Sequence, residues 1–162
     1  MKAAVIMGSK SDLPVLEKTI KCLKDFGVEV VPRVLSAHRT PDEAHEFALS
    51  AEKEGIEVII AAAGKAAHLG GVLAAYTTLP VIGLPIKSST MDGLDSLLSI
   101  VQMPSGIPVA TVAINGGENA ALLAVQILAV KYDELKTKLK EHKEEMRKNV
   151  LKSNDEMLEE IR

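Results

Sequence analysis

Aromatic side chains are nearly missing from this 162-residue chain, which has two Tyr, two Phe and no Trp. That scarcity excludes a stacking platform for single-stranded nucleic acid, which needs rings beneath successive bases. It also excludes a sugar-stacking site, and it leaves the core to Ala, Val, Ile and Leu. Excess positive charge is lacking too: the net charge of -3 gives no basic footprint for nucleic acid, so no nucleic-acid partner is expected. A single cysteine, Cys22, rules out an internal disulfide. It sits among apolar residues of a predicted helix with no histidine motif near it, and reads as a buried spectator thiol. No apolar run is long enough to span a bilayer, and the N-terminus enters strand pattern at Ala3–Met7 without a cleavable leader. A cytoplasmic protein without a membrane partner is therefore expected.

Several chemical signatures are absent as well. The histidines, at 38, 45, 68 and 142, contain no close pair of the metal-binding type, so no metal is expected. His45 lies within a predicted helix and reads as a packing or surface residue. The glycine spacing of a dinucleotide fingerprint is missing, and so is the Gly-Lys-Ser/Thr of a Walker loop. No nucleophile elbow accompanies Ser36 and His38. No organic cofactor is implied.

What is present is alternation. Apolar runs at Ala3–Met7, Glu29–Val34, Val58–Ala63, Val81–Leu84 and Val109–Ile114 predict five strands. Runs such as Val58–Ala63 lack polar alternation, as expected when both faces of a parallel sheet are covered. Helical patterns lie between them near Asp12–Phe26, Pro41–Glu54, Ala67–Tyr76, Gly93–Val101 and Glu118–Lys131, with Gly27 and Gly55 as stops. This order predicts a three-layer αβα domain around a doubly wound parallel five-stranded sheet. Residues 1–131 form the α/β catalytic domain. Residues 132–162 form a Lys- and Glu-rich C-terminal helical extension with one apolar stripe (Leu135, Leu139, His142, Met146), of the kind that packs on another subunit. Ser153-Asn154-Asp155 reads as a break before a short last helix.

In such sheets ligands bind beyond the carboxyl ends of the strands. The first loop, Gly8-Ser9-Lys10-Ser11-Asp12, offers a glycine, two hydroxyls and a helix start for a phosphate or ribose. Asp12 reads equally as a helix cap or as a partner for ribose hydroxyls. The second loop, Ser36-Ala37-His38-Arg39-Thr40-Pro41-Asp42, sets the side chain suited to proton transfer near neutrality beside the donor best shaped for phosphate. Thr40 and Glu43 have capping-box spacing, with Pro41 at the first helical position. In the third loop, Gly64 and the alanines allow close ligand approach, Lys65 would add charge, and His68 reads as a polar contact or a cap. The fourth loop, Pro85 to Gly93, is hydroxyl-rich and leads into a helix capped by Asp92. Gln102–Pro108 reads as a shaped loop or lid, and Asn115-Gly116-Gly117 as a tight turn able to lend amides to a site.

Read together, Gly8-Ser9-x-Ser11-Asp12, Ser36-Ala37-His38-Arg39-Thr40-Pro41, Ala66-Ala67-His68-Leu69 and Asp95–Pro104 resemble one family. It is the N5-carboxyaminoimidazole ribonucleotide mutase family of purine biosynthesis, also known as the class I catalytic-subunit type of phosphoribosylaminoimidazole carboxylase. The resemblance covers about the first 130 residues. It implies a flavodoxin-like sheet, a homo-octamer with sites at subunit boundaries, a ribonucleotide substrate, and a reaction needing neither metal nor cofactor. The implied enzyme is an isomerase that decarboxylates the substrate, traps CO2 and recarboxylates a ring carbon. His38 matches the general acid/base, and Ser9, Asp12 and Arg39 match the positions that hold ribose and phosphate. Ser36, Gly64, His68 and Leu69 match the rest of the pocket wall, and Ser11 and Lys65 complete the expected substrate-binding set. Mutases of this type usually carry glycine where Lys65 stands, and the Asn115 loop is short for the family. Two alternatives stay open: a direct CO2-dependent carboxylase of aminoimidazole ribonucleotide, and a non-catalytic phosphoribosyl-ligand binding protein.

Overall fold

The structure is a computed structural model that describes residues 1–161. Its strands are β1 (Lys2–Met7), β2 (Glu29–Val34), β3 (Val58–Gly64), β4 (Val81–Ile86) and β5 (Ala110–Thr111). All neighbours pair in parallel, in the order β2-β1-β3-β4-β5. The helices are α1 (Leu13–Asp25), α2 (Pro41–Ser50), α3 (Leu69–Tyr76), α4 (Leu94–Val101), α5 (Gly117–Leu128) and α6 (Asp133–Glu160). This is the expected flavodoxin-like, three-layer doubly wound arrangement. Because side chains alternate along a strand, β1 and β3 each serve two cores. Val5, Met7, Ile60 and Ala62 pack with α1, α5 and Leu135 on one face, whereas Ala4, Ile6, Ile59 and Ala61 pack with α2, α3 and Ile100 on the other.

The boundaries differ from the sequence reading at instructive places. β5 is two residues rather than six, because the chain turns at Ala113–Gly116, where Asn115 takes φ +55°. The Val112 and Asn115 amides still donate to Gly83 and Pro85 carbonyls, so the segment tracks β4 without a regular ladder. α2 ends at Ser50, and single turns carry the chain to Gly55 at φ +79°. The expected break at Ser153-Asn154-Asp155 does not occur. α6 runs unbroken through it, Ser153 donating back to the Asn149 carbonyl at 3.0 Å instead of capping a new helix. With no glycine or proline in the segment, nothing interrupts the ladder. Cys22 is half-buried, and burial pushes its thiol up to about 11, with Glu118 and Asp25 adding to the shift. His45 stacks on Tyr76 with ring centroids 4.2 Å apart.

Glu57 ties three parts of the fold together. Its carboxylate accepts from Lys131 Nζ at 2.7 Å and from the Tyr132 hydroxyl at 2.9 Å, and lies 3.8 Å from the N-terminal amine. Burial raises the Glu57 pKa, but the hydrogen bonds from Lys131 and Tyr132 outweigh it and hold the carboxyl below its ordinary value. A folded pKa below the unfolded one stabilises above the ordinary carboxylate range and stops doing so as pH falls through the folded value. Glu57→Gln is therefore expected to lower Tm at pH 7 by about 2–4 °C, the shift for about 1 kcal/mol in a chain of this size. In circular-dichroism melts, the gap should close below about pH 4.

Candidate active site

β1 and β3 are neighbours in space, but the connection from β1 runs outward to β2 before the chain returns to β3. That reversal opens a crevice above their carboxyl ends. A cavity of about 610 Å³ occupies it. Every site residue expected from the sequence lies on its wall: Ser9, Ser11, Asp12, Ser36, His38, Arg39, Gly64, Lys65, His68 and Leu69.

The first loop is a capping box of its own. Ser9 Oγ accepts from the Ser11 amide at 3.3 Å while Asp12 Oδ2 accepts from the Ser9 amide at 3.2 Å, over a single 3-10 turn at Lys10–Asp12. Burial pushes the Asp12 carboxyl up, against the Ser9 amide, the Ser11 hydroxyl and the Arg39 charge, which all favour the ionised form. The expected capping box at Thr40 is not formed. Thr40 Oγ1 instead accepts from the Ser36 amide at 2.9 Å and sits 3.2 Å from the Ser36 carbonyl, closing the second loop on itself. A side chain that spans its own loop cannot also reach the third helical amide. His68 and Asp92 likewise make no capping bond. α3 starts with His68 turned into the cavity, and α4 is capped by Gly93 in the left-handed region.

The two residues of the second loop part company. Arg39 turns towards β1, donating from Nη2 to the Gly8 carbonyl at 2.9 Å, with Ser36 Oγ 3.2 Å from its amide. His38 turns the other way and reaches across the end of β1 to the third loop. Its Nε2 lies 2.9 Å from His68 Nδ1, with the rings edge to face. Two imidazoles so placed share one proton at the contact, one nitrogen donating and the other accepting.

The loop after β4, hydroxyl-rich in sequence but assigned no site residue from it, also reaches the cavity. Lys87, Ser88 and Ser89 line the cavity, as do Ala37, Ala63, Ala66 and Ile86. The hydroxyl-rich composition was the available signal, together with the rule that every strand end on this edge faces the crevice. Ser88 Oγ contacts the Asp95 carboxylate at 3.2 Å, and Lys87 Nζ pairs with Asp92 at 3.1 Å. The Asn115 turn lends no amide to the cavity. Its Oδ1 accepts from the Lys87 amide at 2.9 Å and so supports that loop from behind. Gln102–Pro108 does not line this cavity. It lies beside α3, where Met103 Sδ abuts Gly71.

Fold and site together define a doubly wound α/β protein whose switch-point cleft carries cations, hydroxyls and a paired histidine. Within that class the chain belongs to the AIR carboxylase family, whose pattern matches residues 2–149. It is 63% identical over 147 residues to the N5-carboxyaminoimidazole ribonucleotide mutase of Pyrococcus abyssi (strain GE5 / Orsay), covering 91% of this chain and 84% of that one. It is 54% identical over 154 residues to the phosphoribosylaminoimidazole carboxylase of Saccharomyces cerevisiae (strain ATCC 204508 / S288c), covering 95% of this chain but 26% of that longer protein. Among solved structures, Treponema denticola PurE superposes with a TM-score of 0.86 at 30% identity, over 96% of this chain and 97% of that one.

Proposed function

We propose that this chain is a mutase of purine biosynthesis that converts N5-carboxyaminoimidazole ribonucleotide to 4-carboxy-5-aminoimidazole ribonucleotide. The single observation that carries the reading is the cavity itself, in a chain so similar to a mutase along most of its length. One end of it holds hydroxyls and a guanidinium suited to ribose and phosphate, and the other holds His38, paired with His68.

The chemistry follows from that layout. The bond between the exocyclic nitrogen and the carboxyl carbon breaks, its electron pair stays on nitrogen, and His38 delivers a proton there. CO2 remains in the cavity, the ring carbon attacks it, and the ring proton returns to His38. Nothing is oxidised or reduced, and the histidine ends as it began. Ser9, Ser11, Asp12 and Arg39 hold ribose and phosphate, whereas Ser36, Gly64, Lys65, His68 and Leu69 wall the reacting end. Holding CO2 beside its nucleophile supplies a positional contribution that free solution lacks.

The substrate is small, and no helix among the described residues is long and apolar enough to cross a membrane. Exposed Leu94, Leu98 and Val101 on α4, and Val150, Leu151 and Ile161 towards the end of α6, leave apolar surface of the kind subunits cover. We assign it to a homo-octamer working in the cytoplasm, with the 132–162 extension packed on the assembly.

The test is turnover. The N-carboxylated ribonucleotide should be converted without added bicarbonate. Conversion of the uncarboxylated ribonucleotide alone, and only with bicarbonate, would instead identify a direct carboxylase. Binding without either turnover would identify a sensor.

A further inference from the structure

Lys65 combines three features that no packing requirement explains. It takes φ +57° on leaving β3, it is exposed on the cavity wall, and it forms no salt bridge among the described residues. In the left-handed region a Cβ crowds the following carbonyl, so most side chains avoid it. Asn115 and Asp92, also at positive φ, belong to the types that tolerate it through local hydrogen bonds, and Met91 at φ +52° sits in the short turn that leads into α4. Lysine has no such device. Strain of this kind clusters at functional sites, and Lys65, unlike Met91, lies on the cavity wall.

The other cations around the cavity are engaged. Arg39 donates to Gly8, and Lys87 is paired with Asp92. The one carboxylate on the wall, Asp12, is held by the first loop. Among the cations lining the cavity, Lys65 is thus the one with no protein partner in the described residues. Its position says which part of the ligand. The second loop sends Arg39 to the first loop and His38 to the third, so the third loop faces the reacting end. Lys65 stands three residues before His68 in that loop.

We propose that Lys65 is a specificity residue whose ammonium binds the ligand carboxylate, and that its left-handed backbone is tolerated for that contact. The proposal rests on the mutase reading and deepens it. An ammonium there stabilises the carboxylated substrate and product, both anionic at that point, over the bound pair of CO2 and uncarboxylated ribonucleotide. It therefore favours recapture of CO2 over its escape.

The experiment is calorimetric binding of two ribonucleotides, 4-carboxy-5-aminoimidazole ribonucleotide and its uncarboxylated counterpart, to wild-type, Lys65→Gly, Lys65→Asn and Lys65→Arg. Glycine and asparagine accept positive φ, so both variants should melt at or above wild-type, which separates lost contact from lost folding. Their Kd for the carboxylated ligand should rise roughly tenfold, as for one lost charge-assisted contact. Their affinity for the uncarboxylated ligand should stay as it is, and Lys65→Arg should restore most of the difference. Equal weakening for both ligands would place Lys65 at the phosphate or ribose end and overturn the proposal. No weakening for either would overturn it as well, while leaving the mutase reading intact. A wild-type chain that bound neither ribonucleotide would overturn both.

Discussion

His38→Asn is expected to bind the ribonucleotide at near-normal affinity and to lose turnover by about 10²–10⁴-fold, the usual worth of a positioned general acid/base. Asparagine keeps a polar group near His68 Nδ1, so the loops that meet there need not separate. What it removes is the exchangeable proton. Without it the departing nitrogen must take a proton from water, and the ring proton has no base. The phosphate and ribose contacts proposed above belong to other side chains, with Arg39 anchored on Gly8 and Asp12 on Ser9. Loss should therefore fall on kcat and spare binding, as steady-state kinetics beside calorimetry would read directly. Full turnover by this variant would end the assignment of His38 as acid/base.

Gly83→Ala is expected to give the largest loss of stability from a single methyl group. Gly83 lies in the fourth strand, paired with Ala61 and Thr111. A Cβ there would overlap Ile100 Cγ2 and come within 2.9 Å of Val109 Cγ1. Ile100 is fully buried on α4, so it has no free space to turn into. Either α4 moves off the sheet or both side chains leave their rotamers. Overpacking of this kind costs about 1–3 kcal/mol and sometimes more. For a chain of this length that lowers Tm by about 2–4 °C per kcal/mol, measurable by calorimetry. Because α4 follows the Lys87–Ser89 loop, activity should fall before the fold does. A variant that melted with wild-type would show that the α4 contact is loose.

The two predictions differ in how visible their basis was. His38 could be picked out because its residue type and its place after a predicted strand both carry chemical meaning. Gly83 could not, since a glycine among Val81-Ile82 and Leu84 says nothing about which helix crosses it. The same contrast runs through the site. Ser9, Asp12 and Arg39 were readable because hydroxyl, carboxylate and guanidinium are informative wherever a strand ends. Lys87, Ser88 and Ser89 were missed because composition alone does not set which loops meet at a crevice. The capping box expected at Thr40 was found at Ser9 instead. Both segments carry the required spacing, and only the path of the second loop, which takes Thr40 Oγ1 for the Ser36 amide, decides between them.

By itself the sequence determined the alternation of strands and helices, the aliphatic cores and the set of reactive loops. These depend on local periodicity and residue type, which short stretches of chain carry. The tertiary structure alone decided the strand order β2-β1-β3-β4-β5, the reach of His38 over β1 to His68, and the exposed, left-handed place of Lys65 on the cavity wall. Those depend on contacts between residues far apart in the chain, and packing selects among arrangements that local preference leaves equal.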